Sequence, residues 1–438
     1  MPSYRKTALL DVKHLRYVFV TRMFSGLYET IRDREWKPSG IPTFIKLVEK
    51  IAQKEKVIWF VVCRTMVESS VVEHEFRNIV FKERINMFVI PYKHVINSGK
   101  VNAFFTTLSA LHYIVLTLKS INARLFCFDR SNIVVAAIFK MISSSPVVVR
   151  MLGAYPGQKS LVNSFIAKLF SPIILFSYKR KYDLVVCTQD GSGGEYYMEK
   201  LFNRNTKKVV LLNGVVKNIG RGDYIHNNTS NDNKIKCLFV GTLTQSKGIP
   251  ELINSFRIVS ERSSDYALKI VGKGELFSKI SSFIEQSKLN DNIQLVGAIS
   301  LEEVRKYYEN TDVYISLNKL GSLSNTVLEA MAAGKCIITL GKDIITHTDE
   351  TTEKLISEYY VIRIDRNNIV NDLTSKLIDL IDNPEKINIY SKRMEMFAKE
   401  FLWSWDERID CEVGLLEKVF RGEPINEQLA IADRYTCD

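Results

Sequence analysis

Short apolar runs recur along the chain between segments whose apolar residues fall at helical spacing. This is the pattern of buried parallel strands alternating with helices. In the first half the runs Leu15–Thr21, Val57–Val62, Leu125–Phe128, Pro146–Arg150, Leu184–Cys187 and Val209–Leu212 predict strands. Helices are predicted over Ile41–Ala52, with Pro42 in the first turn where a missing N–H costs nothing, over Asn132–Met141 and from Glu195. A loop of roughly twenty residues, longer than most connections, separates the first strand from the first helix. After Asn213-Gly214 the periodicity disappears into Asn, Gly, Ser, Thr and Asp, as in a linker. A second alternation restarts at Ile235, with strands at Cys237–Val240, Leu268–Val271, Ile293–Val296, Val313–Ser316 and Cys336–Thr339 and helices at Pro250–Glu261 and Leu301–Tyr308. The tail, Met394–Phe420, reads as helical with Phe397, Phe401, Trp403, Trp405, Ile409, Leu415 and Val419 as its buried stripe.

The expected division is therefore a doubly wound α/β domain over 1–215, a linker over 216–234, a second such domain over 235–390, a C-terminal helix over 391–421 and a polar tail over 422–438. In sheets of this class ligands bind outside the carboxyl ends of the strands, so a cleft between the two domains is the expected substrate site.

Composition narrows the class. With 46% apolar and 25% charged residues the chain is an ordinary globular protein, which sets aside disordered and fibrous classes. Seven cysteines without a CxxC pair indicate neither a disulfide framework nor a zinc site, and a reducing compartment fits them best. The net charge of +11 divides unevenly, with +18 over residues 1–230 and −7 over the rest. An anionic surface is the expected partner of the first half; no RRM, KH or zinc-finger signature accompanies the basic residues, so nucleic acid is not expected.

Two segments bear on membranes. Val101–Leu118 is uncharged but carries Asn102, Ser109, His112 and three threonines, and it falls short of the roughly 20 apolar residues of a spanning helix. It is expected as a buried or interfacial helix. Leu161–Phe176 is apolar and runs into Lys179-Arg180-Lys181, the pattern either of a core helix capped by a basic turn or of an interfacial helix whose cations meet headgroups. The N-terminal residues show no signal peptide, and the expected location is the cytoplasm, peripheral on the cytoplasmic face of the membrane.

The chemistry gathers around Gly321-Ser-Leu-Ser-Asn-Thr-Val-Leu-Glu-Ala-Met-Ala-Ala-Gly334, a Gly/Ser/Asn loop opening a helix between two apolar strands. A lone carboxylate, Glu329, among small and apolar residues calls for a partner, and the backbone N–H groups at the helix start can hold phosphate or sugar oxygens. The stretch Phe239–Ile249 is a strand, a glycine turn, three hydroxyl residues (Thr242, Thr244, Ser246) and Lys247 just before a helix, which places a cation beside bound phosphate. No GxxxxGK[ST] and no complete GxGxxG follows a strand, which argues against a P-loop NTPase or an ordinary NAD site.

FVGTLTQSKGI, LKIVGKGEL, NIQLVGAIS, EEVRKYYENTDVYISL and GSLSNTVLEAMAAGKCII, in this order, resemble the sugar-nucleotide domain of retaining glycosyltransferases of family 4, with the GT-B fold of two Rossmann-like domains facing each other across a cleft. SGIPTFIKLVEKIA, DLVVCTQDGS and VVLLNGVV resemble that family's acceptor domain, so the likeness spans about residues 15–420. The resemblance implies transfer of a sugar, with retention, from a nucleotide diphosphate donor, UDP- or GDP-linked, to a glycan acceptor carried on a lipid. It implies no metal and no other cofactor. Glu329 matches the second acid of the family's E-x7-E motif, on the ribose; Lys247 matches the lysine on the diphosphate; Gly40 matches a glycine of the first loop facing the cleft; and the tail helix matches one crossing back to the N-terminal domain. Gly241, Thr242, Gly272, Gly297, Gly321, Ser322, Leu323, Ser324, Asn325 and Thr326 complete the donor side by the same likeness. Arg150 and Asp129 are expected on the acceptor side, and Arg150 joins Glu329 and Lys247 as a candidate catalytic residue. Three positions depart from the family: Gly321 stands where the first acid of E-x7-E would be, Thr242 where an arginine accompanies the lysine, and Arg150-Met-Leu-Gly153 where many members have His-Gly. Those departures suit a non-catalytic partner subunit as an alternative, and a sugar-nucleotide epimerase of the same fold is a second one.

Overall fold

The computed structural model describes residues 17–118, 124–128, 132–169, 171–217 and 234–425. Asp129 and most of the linker 216–234 lie outside them. The chain divides into two compact units, the first formed by residues 1–188, 195–211 and 408–438 and the second by 189–194 and 212–407. This division departs from the sequence boundaries at both ends: the short loop Gln189–Gly194 belongs with the second unit, and the tail joins the first from Arg408 onward.

The first unit is built on a sheet of strands β1 (Tyr17–Arg22), β2 (Val57–Val62), β3 (Arg77–Phe81), β4 (Ile85–Ile90), β5 (Arg124–Phe128), β6 (Val147–Met151), β7 (Leu184–Gln189) and β8 (Lys208–Leu212), in the order β3-β4-β2-β1-β5-β6-β7-β8. β2, β1, β5, β6 and β7 pair in parallel, as does β4 with β2, while β3 lies antiparallel on β4. β2 (VIWFVV) is buried at every position, as a parallel strand covered on both faces requires. The edge hairpin β3–β4 has no counterpart in the sequence reading, although INMFVI carries the apolar signature of β4. Its turn places Lys82 and Glu83 at φ 49° and 59°.

The loop expected after β1 contains a turn, Ser25–Leu27, and a short helix, Tyr28–Asp33. Met23, Leu27 and Ile31 recur every fourth residue and are all buried, which is the helical signal in this stretch. Leu161–Phe176 is not one helix. It breaks into helices Pro156–Asn163, Phe165–Leu169 and Pro172–Lys179. Gly99–Leu118 is a single helix, and among the described residues no helix is long and apolar enough to cross a membrane.

The second unit carries the strands β9 (Ile235–Val240), β10 (Tyr266–Val271), β11 (Ile293–Gly297), β12 (Val313–Ser316), β13 (Cys336–Leu340) and β14 (Ile362–Ile364), all parallel in the order β11-β10-β9-β12-β13-β14. This is a doubly wound sheet with its switch point between β9 and β12. Its core is mainly aliphatic, with Phe239, Phe256 and Tyr266 among the leucines and isoleucines, and runs from Leu252 on the helix Ile249–Ser260 to Leu373 and Leu377 on the helix Ile369–Asp382. Serine capping at Ser300, with Glu303 returning to the Ser300 N–H, starts the helix Leu301–Glu309.

The tail forms two helices, Glu385–Phe401 and Trp405–Arg421, separated at Leu402–Ser404. Within the first unit the second of them packs through Tyr17, whose hydroxyl donates to Glu417 (3.3 Å) and whose ring meets Phe420 edge-on, and through the Lys50–Asp410 ion pair (2.6 Å). Cys63, Cys187, Cys237 and Cys336 are buried thiols outside any disulfide.

Candidate functional site

The candidate site lies in the second unit, on loops leaving the C-terminal ends of the adjacent strands β9 and β12. After β9 the chain turns at Gly241, Leu243 is buried under the loop, and Gln245–Lys247 forms one 3₁₀ turn. Gly248 follows at φ 70° and starts the next helix; a Cβ there would stand 2.4 Å from Leu317 Cβ. The Lys319 N–H donates to Ser246 O (2.9 Å), so the loops after β9 and β12 are tied together. Gly272, after β10, approaches even more closely, since a Cβ would lie 1.9 Å from Gly241 O. Gly272 is thus needed for packing of the strand ends. Gly297 ends β11 at φ 85° with no such crowding, and Thr242 is exposed.

Lys247 is partly buried, and among the described residues no carboxylate lies within ion-pair distance of it. Burial pushes its ammonium below the ordinary lysine value, and the charge of Asp190 offsets part of that. A lysine held in this way is a receptor for an anion.

After β12 the segment Gly321–Ser324 leads into the helix Asn325–Ala332, and its first three residues are structural. The Ser322 N–H and hydroxyl both donate to Asp349 Oδ1 (2.8 and 2.6 Å), the Leu323 N–H donates to Asp190 O (3.1 Å), and the Leu323 side chain is buried. A Cβ on Gly321 would stand 2.6 Å from both Asp190 O and Ser192 N. Gly321, Ser322 and Leu323 therefore do not present side chains to a donor, which corrects the expectation for them. At the helix start the arrangement opens: Ser324 and Thr326 hydroxyls meet at 3.1 Å, and Asn213 Nδ2 donates to Asn325 Oδ1 (2.7 Å), all partly exposed. The N–H groups of Asn325 and Thr326 precede the first helical bonds, which Val327 and Leu328 make to Ser324 O, and they can complete an anion-binding corner.

Glu329 lies one turn further in. Tyr308, fully buried, directs its hydroxyl at Glu329 Oε2 (3.2 Å) and Thr326 O (3.0 Å). Burial raises the Glu329 carboxyl above its usual value, opposed by the Tyr308 hydrogen bond and the Arg305 charge. Burial also raises the Tyr308 phenol, so it remains a donor at neutral pH. The carboxylate is thus oriented, with hydrogen-bonding capacity left for a ligand hydroxyl.

Sequence reasoning missed the support beneath this corner. Asp349, buried and at φ 59°, accepts from Ser322 and from Arg366, and its own N–H donates to Gly191 O (2.6 Å). Arg366 in turn donates to Lys319 O (3.0 Å) and Gly341 O. Asp190 accepts from the Ser192 N–H and hydroxyl; burial, reinforced by the charge of Asp349, raises its carboxyl to about 6 against those hydrogen bonds. Gly191 at φ 84° has room for no side chain, since a Cβ would lie 2.2 Å from Asp349 Oδ1. The Gly-Ser-Gly-Gly run after Asp190 was the available signal, whereas nothing local marks Asp349 or Arg366.

The residues expected on the acceptor side belong to the first unit. Gly40 is exposed at φ 102° beside Phe24, just before the helix Pro42–Ala52. Arg150 is corrected: it is fully buried, paired with Glu412 and donating to Thr188 Oγ1 (3.2 Å), while Arg408 donates to the other Glu412 oxygen (2.7 Å). Although burial pushes the Glu412 carboxyl up, the two guanidiniums hold it below the usual range. Its ion pair inside the fold leaves Arg150 unable to touch a substrate. Among the described residues no group of three His, Cys, Asp or Glu side chains is placed to hold a metal ion.

Residues 221–395 match the family model described as glycosyl transferases group 1. An uncharacterized glycosyltransferase of Methanocaldococcus jannaschii is 27% identical over 225 residues, covering 50% of this chain and 56% of that protein. The amylovoran biosynthesis glycosyltransferase AmsK of Erwinia amylovora is 27% identical over 111 residues, 24% of this chain and 27% of its own. The chain thus spans about half the length, or less, of the curated relatives it matches. Among solved structures, sucrose-phosphate synthase from Thermosynechococcus elongatus superimposes with a TM-score of 0.67 at 14% identity, covering 93% of this chain and all of the other. HepE of Anabaena, solved with UDP and glucose, gives a TM-score of 0.63 at 12% identity over 92% of this chain and all of its own. These likenesses show the fold to be GT-B.

Proposed function

We propose that the chain is a retaining glycosyltransferase using a nucleotide diphosphate sugar, a reading supported by the match of residues 221–395 to the family model of group 1 glycosyl transferases. The observation that carries this reading is the anion corner on adjacent strand ends, formed by an unpaired, partly buried Lys247 and the open start of the helix Asn325–Ala332, with the oriented Glu329 one turn beyond. Lys247 and the helix N–H groups take the diphosphate, and Glu329 takes the ribose hydroxyls. As the bond from the anomeric carbon to phosphate oxygen breaks, negative charge grows on the leaving diphosphate, where Lys247 and the helix start stabilise it. The acceptor hydroxyl attacks on the same face, and the leaving phosphate oxygen takes its proton. Orientation and charge stabilisation are then the protein's main contributions.

The first unit is the acceptor-binding side in this reading, and the acceptor is a glycan on a lipid carrier at the cytoplasmic face of the membrane. Its basic surplus supports this, as does the relative in amylovoran biosynthesis. UDP- and GDP-sugars are the expected donors. The test incubates the purified protein with a panel of such donors and a membrane extract, following nucleoside diphosphate release and product glycan, with Lys247→Met as the control. Acceptor-dependent release from one donor, lost in Lys247→Met and unchanged by a chelator, is the expected result. No release from any donor, together with no nucleotide binding, would leave the chain a non-catalytic partner of another transferase.

A further inference from the structure

Of the three helices of residues 156–179, the first buries Leu161 in the core, while the second and third carry large apolar residues on the outside. The helix Phe165–Leu169 has no buried residue: Phe165, Ile166 and Leu169 are 79%, 67% and 63% exposed, on one face at i, i+1 and i+4. The following helix Pro172–Lys179 turns Tyr178 and Ser177 inward but leaves Ile173 and Phe176 outside. It packs on the helix Ile133–Ile142, which ends in two further exposed apolar residues, Met141 and Ile142. Single exposed apolar residues are ordinary, but a run of seven on touching helices is a surface that water does not favour.

Beside this run is a basic hollow of about 460 Å³ lined by Lys140, Phe176, Lys179, Arg180, Lys181 and Asn203, with no carboxylate in its lining. Lys140 is neutralised by Asp183 (2.6 Å) and Lys179 donates to Lys200 O (2.7 Å). Arg180 stacks its guanidinium over Phe176 (5.4 Å), and its Nε is buried without a partner. Partial burial and the neighbouring charges of Lys208 and Arg204 push the Lys179 ammonium below the ordinary lysine value, a sign of uncompensated positive charge. Lys168 stands exposed among the apolar residues of the helix Phe165–Leu169.

We propose that this surface of the first unit docks on an anionic phospholipid bilayer, with Phe165, Ile166, Leu169, Ile173 and Phe176 entering the acyl boundary and the hollow of Lys179, Arg180 and Lys181 holding a lipid phosphate. Apolar residues fringed by cations are what an interfacial element needs, and neither part suffices alone for stable attachment. The broken helices serve this function, because a five-residue helix can present three apolar side chains outward without a buried face of its own. The inference stands apart from the donor site, and its test needs no transferase activity.

The experiment is sedimentation of the full chain with vesicles of phosphatidylcholine alone or with roughly a third phosphatidylglycerol. Wild type is expected to bind the anionic vesicles and not the neutral ones. Each cation near such a surface contributes about a fivefold factor, so Lys168→Glu, Lys179→Glu and Lys181→Glu together should weaken binding by about a hundredfold or more. Ile166→Trp reports insertion, its fluorescence being quenched by lipids brominated on the acyl chains. Absence of binding by wild type, undiminished binding by the triple variant, or binding without quenching would each overturn the proposal. So would a dimer in sedimentation velocity that Phe165→Ser with Ile166→Ser dissolves, since the surface would then be a self-interface.

Discussion

Replacing Glu329 by Gln should move stability and ligand affinity in opposite directions. The carboxylate is mostly buried, and its pKa is raised by that burial. A raised carboxyl binds its proton more tightly in the folded state than in the unfolded one, so the stability it contributes is present at low pH and is lost as pH rises through the folded value. At neutral pH the ionised group is therefore a cost to the fold. Glutamine keeps the acceptor for Tyr308, at 3.2 Å in the wild type, and removes the charge. The melting temperature at pH 7 should stay level or rise, and the excess should vanish as pH falls toward 4. Binding behaves oppposite. A hydrogen bond from a ribose hydroxyl to a carboxylate is worth about 1.5–3 kcal/mol, and each 1.4 kcal/mol is a factor of ten. The dissociation constant of the preferred nucleoside diphosphate should rise about 10- to 150-fold in calorimetric titration. An unchanged affinity with an unchanged melting temperature would refute the assignment of Glu329 to the nucleotide. A fall in both would mean that Glu329 is a structural residue.

Three further outcomes follow from the packing around the site. Gly321→Glu, which supplies the first acid of the E-x7-E motif that the resemblance implies, forces a Cβ to within 2.6 Å of Asp190 O and Ser192 N; it should destabilise by about 1–3 kcal/mol in denaturant titration and give no gain in nucleotide binding. Glu412→Ala strands two buried guanidiniums and should cost about 3–5 kcal/mol, whereas replacing Arg150, Arg408 and Glu412 together by apolar residues of similar volume should recover most of it. Asp190, raised to about 6, loses its contribution to stability as pH climbs from about 4 to 6; Asp190→Asn should flatten that part of the melting profile, and an unaltered profile would contradict the burial of the carboxyl.

Much of the donor corner was legible because its signals are local. A strand, a glycine turn, Lys247 and a proline-started helix lie within a dozen or so residues, and the apolar surroundings of Glu329 announce a partnered acid. What escaped was set by long-range packing. Arg150 looks available in sequence because its partner Glu412, which it shares with Arg408, is some 260 residues away on the tail helix. Ser322 looks like a ligand contact because Asp349, which takes both of its donors, follows at a distance with no periodicity to mark it. The breaks in residues 156–179 were hidden for a different reason: the stretch 165–176 is apolar apart from Lys168 and Ser171, so no amphipathic period marks where one short helix ends and the next begins. The edge strand β3 is short and set among charges, which weakens the alternation that would reveal the hairpin it forms with β4.

The assignment of Gln189–Gly194 to the second unit constrains how this sequence can be recombined. The low-complexity stretch 216–234 invites a crossover with another transferase, yet a hybrid joined there would take Gly321 and Asp349 from one parent and the loop that fits against them from the other. Gly191 and Gly193 tolerate no Cβ opposite Asp349 and His347, so most foreign loops would not seat. Junctions that respect the fold must instead exchange two pieces together, the six-residue loop and residues 212–407, and leave the tail from Arg408 with the first unit. Modularity in this protein is a property of its three-dimensional parts, and the linear gene does not divide along them.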